Sequence, residues 1–334
     1  MHITPLRAAP VYVLPDTALL AGSALVYAKS LEGAVATFPF NPGRDLLSEE
    51  TIGRLRRQLR DGVWDFAIHG AVQDLGHVKQ DATPLNLMHS ANYFHFLIEA
   101  LPSLIALIER KDVTENSVIV SGMLHPNMWS ALKYALGPLE LPILQLRTMQ
   151  SVTCDRVVTS QPSWHGTHLR IGGISDSQYN AANLRLLRQR FAPLWEATPT
   201  GPTEKICIRR VSQYRNVTNT HEVERLAQEA GYRIVEPEHL SFFEQVELFS
   251  HASHIIGPTG AWAANLLFAP ETAKIEIFYP ETARTPRDIW AGLGQALGLN
   301  VEVLYCPITQ RHKYYPIHSD FVIPLEHLAG RLHA

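Results

Sequence analysis

The chain has 334 residues, of which 46% are hydrophobic and 18% charged, and its net charge is −3. That composition suits two domains with real cores, excludes a disordered chain, and argues against the basic footprint of a nucleic-acid binder. Its three cysteines, Cys154, Cys207 and Cys306, are odd in number and far apart, so they form neither a disulfide framework nor a metal spacing. The opening residues, MHITPLRAAPVYVLPD, lack a basic region followed by an apolar core and a cleavage site. No run of about 18 apolar residues is present to span a membrane. The expectation is a soluble protein of the reducing cytosol.

In chain order, residues 49–62, EETIGRLRRQLRDG, read as a helix burying Ile52, Leu55 and Leu59 and exposing Arg54, Arg56, Arg57 and Arg60. Such a face is usually solvated; peripheral contact with the anionic inner face of a membrane is the alternative. Residues 92–110, NYFHFLIEALPSLIALIER, predict a helix bent at Pro102. On it Tyr93, Leu97, Leu101, Leu104 and Ile108 trace an apolar stripe, while Asn92, His95 and Glu99 fall on a separate face. SVIVSGMLHPNMWSALKYALG reads as strand, turn and helix, and VTCDRVVTS as a strand. The helical stretch ANLRLLRQRFAPLW then runs into EATPTGPTEK, residues 196–205, whose Pro, Gly and Thr mark a domain linker.

Beyond the linker the chain alternates regularly. KICIRR is a strand, THEVERLAQEAG a helix with Thr220 at its start and Gly231 past its end, and YRIVEP a strand. SFFEQVELFSHA is a helix opened by the capping-box pair Ser241 and Glu244. SHIIGP and AKIEIFYP are strands around the short helix GAWAANLLF, and PRDIWAGLGQALG and NVEVLYCP close the series as helix and strand. Alternation with short connections predicts a parallel, doubly wound sheet. The expected fold is therefore α/β, with two Rossmann-like domains, 1–198 and 199–334, facing a cleft, and the last helix free to pack back on the first domain.

Three stretches carry candidate chemistry. In IIGPTGAWAANLLF, Gly257 ends a strand and Gly260 opens a helix, so backbone N–H groups there favour an anion. Thr259 adds a hydroxyl, and Asn265 is an amide among apolar residues that needs partners. The plainer reading is that Gly and Pro only make the turn. In ICIRRVSQYRNVTNTHEV, a strand ends in Arg209 and Arg210, and Arg215 and Asn219 follow in the loop, on the same sheet edge as Gly257 and Gly260. Guanidinium forks match phosphate oxygens; otherwise these are solvated charges. On the 92–110 helix, His95 and Glu99 are within reach of each other and form either a general base or a surface pair. Metal chemistry is poorly supported: no Asp-x-Asp occurs, and the pairs His165/His168 and His251/His254 lack further ligands.

Taken in order, these motifs resemble glycosyltransferase family 61, whose members include capsular polysaccharide enzymes. NYFHFLIEALPSL is similar to that family's Asn-aromatic-x-His-aromatic segment with its following Leu-Pro. RRVSQYRNVTNTHEV is similar to its arginine segment, with Arg215 four residues before Asn219. PEHLSFFEQVELFSHASHIIGPTGAWAANLLF resembles its Ser-Phe-x-Glu-Gln helix and Gly-Pro-His-Gly-Ala turn, and KIEIFYP its Glu-bearing strand, at Glu276. The resemblance covers roughly residues 85–305. It implies a GT-B-like architecture, an acceptor-side first domain, and a second domain binding a nucleotide-sugar, usually a UDP-sugar. It further implies inversion of the sugar without an essential metal or other cofactor, and a glycan or lipid-linked glycan acceptor.

By the same resemblance Arg209, Arg215, Asn219, Thr259, Gly260 and Ala261 would hold the donor diphosphate, with Glu276 binding the ribose or shaping the site. His95 or Glu99 would take the acceptor's proton, beside Asn92, Trp164 and His165. Two positions depart from the pattern: Thr259 stands where the family has His, and Trp262 where it has a small residue. A catalytically inactive nucleotide-sugar-binding subunit is the alternative. A nicotinamide enzyme is disfavoured, because no Gly-x-Gly-x-x-Gly follows the first strand of the second half.

Overall fold

The computed structural model describes residues 11–21, 26–28, 55–60, 63–68, 71–85, 92–160, 164–165, 178–196, 201, 203–282, 289–313 and 316–332. The chain divides into two compact units, Met1–Leu169 with Ala182–Leu187, and Arg170–Ala181 with Arg188–Ala334. It is a mixed α/β protein with parallel sheet in both units.

The first unit begins with β1 (Val11–Leu20), paired antiparallel with β2 (Val26–Ala28). β3 (Leu55–Arg60) and β4 (Val63–Ile68) then form an antiparallel pair. The arginine-rich stretch is thus a strand and not the helix its apolar spacing predicts. Asp61-Gly62 separates the two runs, the sequence pair that most favours a hairpin, and VWDFAI is rich in strand-forming residues. Ile52 and Arg54 lie outside the described residues.

β5 (Gln73–Leu85) leads to a π-helical turn, His95–Ala100, and α1 (Leu101–Glu109). β6 (Ser117–Gly122), α2 (Pro126–Leu136), β7 (Ile143–Leu146) and β8 (Gln150–Ser160) follow. The sheet order is β2-β1-β8-β5-β6-β7, parallel from β8 to β7 and antiparallel at β1. β6 is buried at every residue, as an interior parallel strand requires. Val78, Ala82, Val120, Val152 and Cys154 join in one apolar cluster of this sheet.

After β9 (Trp164–His165) and β10 (Gln178–Tyr179) come α3 (Ala181–Phe191) and α4 (Pro193–Glu196). The second unit's sheet is built from β11 (Glu204–Ile208), β12 (Arg233–Val235), β13 (Ala252–Pro258), β14 (Lys274–Pro280) and β15 (Asn300–Cys306). Its order is β12-β11-β13-β14-β15, every pair parallel. α5 (Thr220–Glu229) connects β11 to β12, and α6 (Phe242–Ser250) connects β12 to β13. A 3-10 helix, Ala261–Leu267, follows β13, and α7 (Ile289–Leu297) precedes β15. The capping box forms as the sequence predicts: Glu244 N–H donates to Ser241 Oγ at 3.3 Å, and Ser241 N–H to Glu244 Oε2 at 2.8 Å. Gly231 closes α5 with φ +83°, a left-handed conformation that favours glycine.

The chain ends with β16 (Ile308–Gln310), β17 (Asp320–Phe321) and α8 (Leu325–Leu332). α8 packs within its own unit: Leu328 and Leu332 share a core with Val223 and Ala227 of α5 and with Cys207, Ile256 and Phe278 of the sheet. All three cysteines are buried thiols.

Read in its own order, the second sheet runs 2-1-3-4-5, and chain direction reverses across the sheet between β11 and β13. In such sheets ligands bind outside the carboxyl ends of the strands at that switch point. β11 and β13 approach closely there. A Cβ on Gly257 would lie 2.6 Å from Ile208 Cβ and 3.3 Å from the Trp262 ring. Gly257→Ala is therefore expected to cost about 1–3 kcal/mol by overpacking. Thermal melting checks this; an unchanged midpoint would contradict it.

Candidate functional site

At the carboxyl end of β11 two consecutive arginines diverge, because successive residues of an extended chain face opposite sides. Arg209 turns to α5. Its Nε and Nη2 donate to the Glu224 carboxylate and Nη1 to Glu236 Oε1 at 3.0 Å. The hydrogen bonds to Glu224, then those to Glu236, push its pKa further up. This guanidinium, expected at the diphosphate, is already matched by two carboxylates.

Arg210 turns the other way, towards the β13 turn. Its Nη1 donates to the carbonyls of Tyr214 (2.8 Å) and Arg215 (3.0 Å), and Nη2 to Ser212 Oγ (2.9 Å). The side chain thus folds its own loop around itself. A Cβ on Gly260 would sit 3.3 Å from Arg210 Cδ and Nε and 3.1 Å from Trp262 Cδ1. A side chain at 260 would press on the Arg210 side chain, which lies over the turn. Burial first, then the charge of Arg215, lower the Arg210 pKa to about 10.

Arg215 sits at φ +60°, a left-handed conformation unfavourable for a side chain with a Cβ. Its N–H donates to the His318 carbonyl at 3.1 Å, and its guanidinium lies 5.5 Å from the centre of the Tyr214 ring. Its Nε is buried without a hydrogen-bond partner. Tyr279 is raised to about 12 by burial, a rise the nearby Arg215 charge opposes. Among the described residues neither Arg210 nor Arg215 has a carboxylate in ion-pair contact. Two adjacent guanidinium groups at a switch point, one of them with a pKa lowered by burial and the other with a buried Nε lacking a hydrogen-bond partner, suit an anion.

Other expected residues frame this cluster. Thr259 is fully buried; its N–H donates to the Phe278 carbonyl at 2.8 Å, and its Oγ1 accepts from Trp290 Nε1 at 3.1 Å. The hydroxyl at the position of the family's His therefore fixes the turn. Trp262 is core: 7% exposed, it stacks on Phe249 and donates Nε1–H to the Pro258 carbonyl at 2.6 Å. Ala261 opens the 3-10 helix. Asn265, fully buried, donates to Gln245 Oε1 at 2.7 Å, tying that helix to α6. Asn219 donates Nδ2 to the Ile323 carbonyl (2.8 Å) and accepts the Ile323 N–H (3.0 Å), which binds the arginine loop to the C-terminal segment.

Glu276 is fully buried in β14, on the face of the sheet that carries α8. Around it stand Lys274 Nζ (3.4 Å), Arg331 Nη1 (3.5 Å) and the imidazole Nε2 of His254 (3.6 Å), towards the amino ends of β13 and β14. The Tyr232 hydroxyl lies 2.5 Å from His254 Nδ1. Glu276 thus belongs to a buried ionic cluster beneath the sheet edge and not to the arginine cluster.

In the first unit Asn92 Oδ1 accepts the N–H groups of Phe94 (3.0 Å) and His95 (3.4 Å), capping the helical start. His95 Nδ1 and Glu99 Oε2 are 2.7 Å apart, with side chains only 14% and 17% exposed. The helix is more deeply buried than its stripe predicts: Phe96, Ile98 and Ile105 are inaccessible alongside Leu97 and Leu101. It changes from π to α at Leu101, beside Pro102, which has no N–H to continue the ladder. Burial lowers His95 to about 4. At neutral pH the imidazole is uncharged, donates Nδ1–H to Glu99 and holds Nε2 as an acceptor. Trp164 and His165 form β9, and their side chains lie outside the described ones.

Sequence reasoning missed Tyr214, Trp290, His312 and His318. His318 stacks on Tyr214 with ring centres 4.1 Å apart and planes at 13°, and His312 meets its edge at 5.4 Å. Tyr214 stands within the arginine motif; the others belong to no motif and reach the site by tertiary pairing.

A parallel α/β unit with Arg210 and Arg215 at its switch point offers the arrangement in which such sheets place ligands, at the carboxyl edge. The family model described as Glycosyltransferase 61 matches residues 93–275, more than half of the chain, and the chain belongs to that family. It is a glycosyltransferase. No curated protein matches the chain. A crystal structure of the acyl-CoA transferase YdiF apoenzyme from Escherichia coli O157:H7 is similar at 10% identity and a TM-score of 0.19. That alignment covers 87% of this chain and 63% of YdiF, and at that score it carries nothing for the fold. Among the described residues no helix is long and apolar enough to cross a membrane, and no three His, Cys, Asp or Glu side chains gather as a metal site.

Proposed function

We propose that the chain is an inverting, metal-independent glycosyltransferase of GT-B-like architecture. It moves a sugar from a nucleotide-sugar, a UDP-sugar in the first instance, to a hydroxyl of a glycan or lipid-linked glycan. The observation that carries this reading is the convergence of Arg210, Arg215 and Gly260 at the β11/β13 switch point, where among the described residues neither guanidinium has a carboxylate in ion-pair contact. There they hold the donor diphosphate and stabilise its charge as the bond to the anomeric carbon breaks. Arg209, Asn219, Gly257, Thr259 and Asn265 act through the frame they hold. Ala261 borders the diphosphate at the start of its helix, and Glu276 stiffens the sheet below it.

On the acceptor side, His95 takes the hydroxyl proton at Nε2 while Glu99 fixes the tautomer through Nδ1, with Asn92 holding the helix start. His95→Ala is expected to lower kcat by about 10²–10⁴-fold, the range for a lost general base. Because a base with its pKa lowered to about 4 stays unprotonated above that pH, the acid limb of kcat/KM should fall well below 6.5. Full activity of both His95→Ala and Glu99→Gln would sink this assignment.

Activity should also persist in EDTA, since guanidinium groups supply the charge that a metal would. Loss in EDTA with recovery in Mn²⁺ would contradict that. Compartment and peripheral membrane contact belong to the same reading: a cytosolic enzyme meeting a lipid-linked acceptor at the membrane's inner face.

A further inference from the structure

Resting on the donor-site reading above, we propose that Tyr214 is a positioning residue of that site: its ring holds the Arg210 and Arg215 guanidinium groups together before a diphosphate arrives, without neutralising either. Tyr214 lies in the loop between β11 and α5, and between the two arginines in sequence. Its ring centre is 5.9 Å from the guanidinium carbon of Arg210 and 5.5 Å from that of Arg215. Its carbonyl accepts the Arg210 Nη1–H at 2.8 Å. The ring is itself held. The His318 imidazole stacks on it, with ring centres 4.1 Å apart and planes at 13°, and the His318 carbonyl accepts the Arg215 N–H at 3.1 Å. One side chain thus reaches both cations and is braced by the same segment that braces Arg215.

Two guanidinium groups side by side repel: after burial, the charge of Arg215 is the largest influence lowering the Arg210 pKa. Something must hold them together before a ligand does. A carboxylate would do so by neutralising the charge, as at Arg209, whose N–H groups are taken up by Glu224 and Glu236. An aromatic ring works differently. The negative face of its quadrupole attracts a cation within about 6 Å of the ring centre, yet the ring carries no net charge to cancel it. Both positive charges therefore remain for phosphate oxygens, and the guanidinium groups need less ordering when the diphosphate binds. The attraction belongs to the ring face and not to the hydroxyl.

The test is isothermal titration of the full chain with UDP and with pyrophosphate. Wild type is compared with Tyr214→Leu, which keeps an apolar bulk and removes the ring face, and with Tyr214→Phe, which keeps the face. Tyr214→Leu should bind both ligands about tenfold more weakly, the loss expected from two cation–π contacts, while Tyr214→Phe stays within about twofold of wild type. Phenylalanine with a perfluorinated ring, incorporated at position 214, separates positioning from packing and serves where Tyr214→Leu does not fold. It fills the same space with the polarity of its face reversed, and should bind as weakly as Tyr214→Leu. Undiminished affinity in Tyr214→Leu, equal losses in Tyr214→Leu and Tyr214→Phe, or normal affinity with the perfluorinated ring overturns the proposal and leaves the donor site standing. A loss confined to UDP also overturns it, since that would put the ring against the nucleoside. If UDP, GDP, CDP, dTDP and pyrophosphate all fail to bind wild type, the donor-site reading falls and this proposal with it.

Discussion

Arg215→Ala should lower kcat/KM by an amount equivalent to about 2–4 kcal/mol, the range for removing one preorganised donor from a developing charge. The geometry offers a sharper form of the test. Arg215 occupies φ +60°, where glycine is comfortable and a Cβ is not, so Arg215→Gly deletes the guanidinium while easing the backbone. Melting temperature should hold or rise while kcat/KM falls. Strain retained at a position whose side chain has an unpartnered buried Nε is what a functional role predicts. If Arg215→Gly melts lower and turns over normally, the residue only braces its loop.

Glu276→Ala should have the largest effect on stability and little on donor binding. The carboxylate is inaccessible and draws together His254, Lys274 and Arg331; without it those groups are left around a buried void. Breaking buried ion pairs costs about 3–5 kcal/mol. Lys274 and Arg331 are partly exposed, at 35% and 29%, so water takes up some of that loss. About 3 kcal/mol is expected, roughly 6–12 °C in Tm for a domain of ordinary size.

Burial works to raise the Glu276 pKa, but His254, Arg331 and Lys274 overcome it and hold the carboxyl below its usual range. A depressed carboxylate stabilises the fold above its unfolded pKa, and that stability is lost as pH falls through the folded value. The deficit of Glu276→Ala should therefore shrink below about pH 4.5. Affinity for UDP should stay within about threefold where the variant is folded, since its neighbours are not the phosphate ligands. A normal Tm with affinity lost tenfold would instead place Glu276 at the ribose.

The second unit was legible because each local signal agrees with the fold. Short β-rich runs alternate with helices whose ends carry Ser241 with Glu244, and Gly231. In the first unit the helix around His95, the strand and helix of SVIVSGMLHPNMWSALKYALG and the strand VTCDRVVTS were legible, and the strands before them were not. β1 contains Pro15 and a left-handed Asp16 at φ 46°, which reads as a break. β5 is exposed along its first five residues and shows no clean alternation. β3 has helical apolar spacing, which reads as a helix although the stretch pairs as a strand with β4.

Within the site, sequence placed the arginines and Gly260 on one sheet edge but could not divide Arg209 from Arg210. Which neighbour faces α5 and which the β13 turn depends on strand phase, and Glu224 and Glu236 lie 15 and 27 residues away. Thr259 looked like a missing charge; in the fold it is a buried hydroxyl under Trp290. His318 arrives because residues 215–219 pair with 318–323, a contact about a hundred residues long in sequence that no motif announces.

One measurement bears most directly on the donor site at the β11/β13 switch point: thermal melting of wild type and Arg210→Ala with UDP-, GDP-, CMP- and dTDP-sugars. At a ligand concentration a hundredfold above Kd, binding stabilises the native state by about 2.7 kcal/mol. One nucleotide class, UDP in the first instance, should raise the wild-type midpoint by several degrees and leave Arg210→Ala nearly unmoved. A wild type that none of the four raises, or an Arg210→Ala variant raised as much as wild type, would contradict a nucleotide-sugar site built on these guanidinium groups.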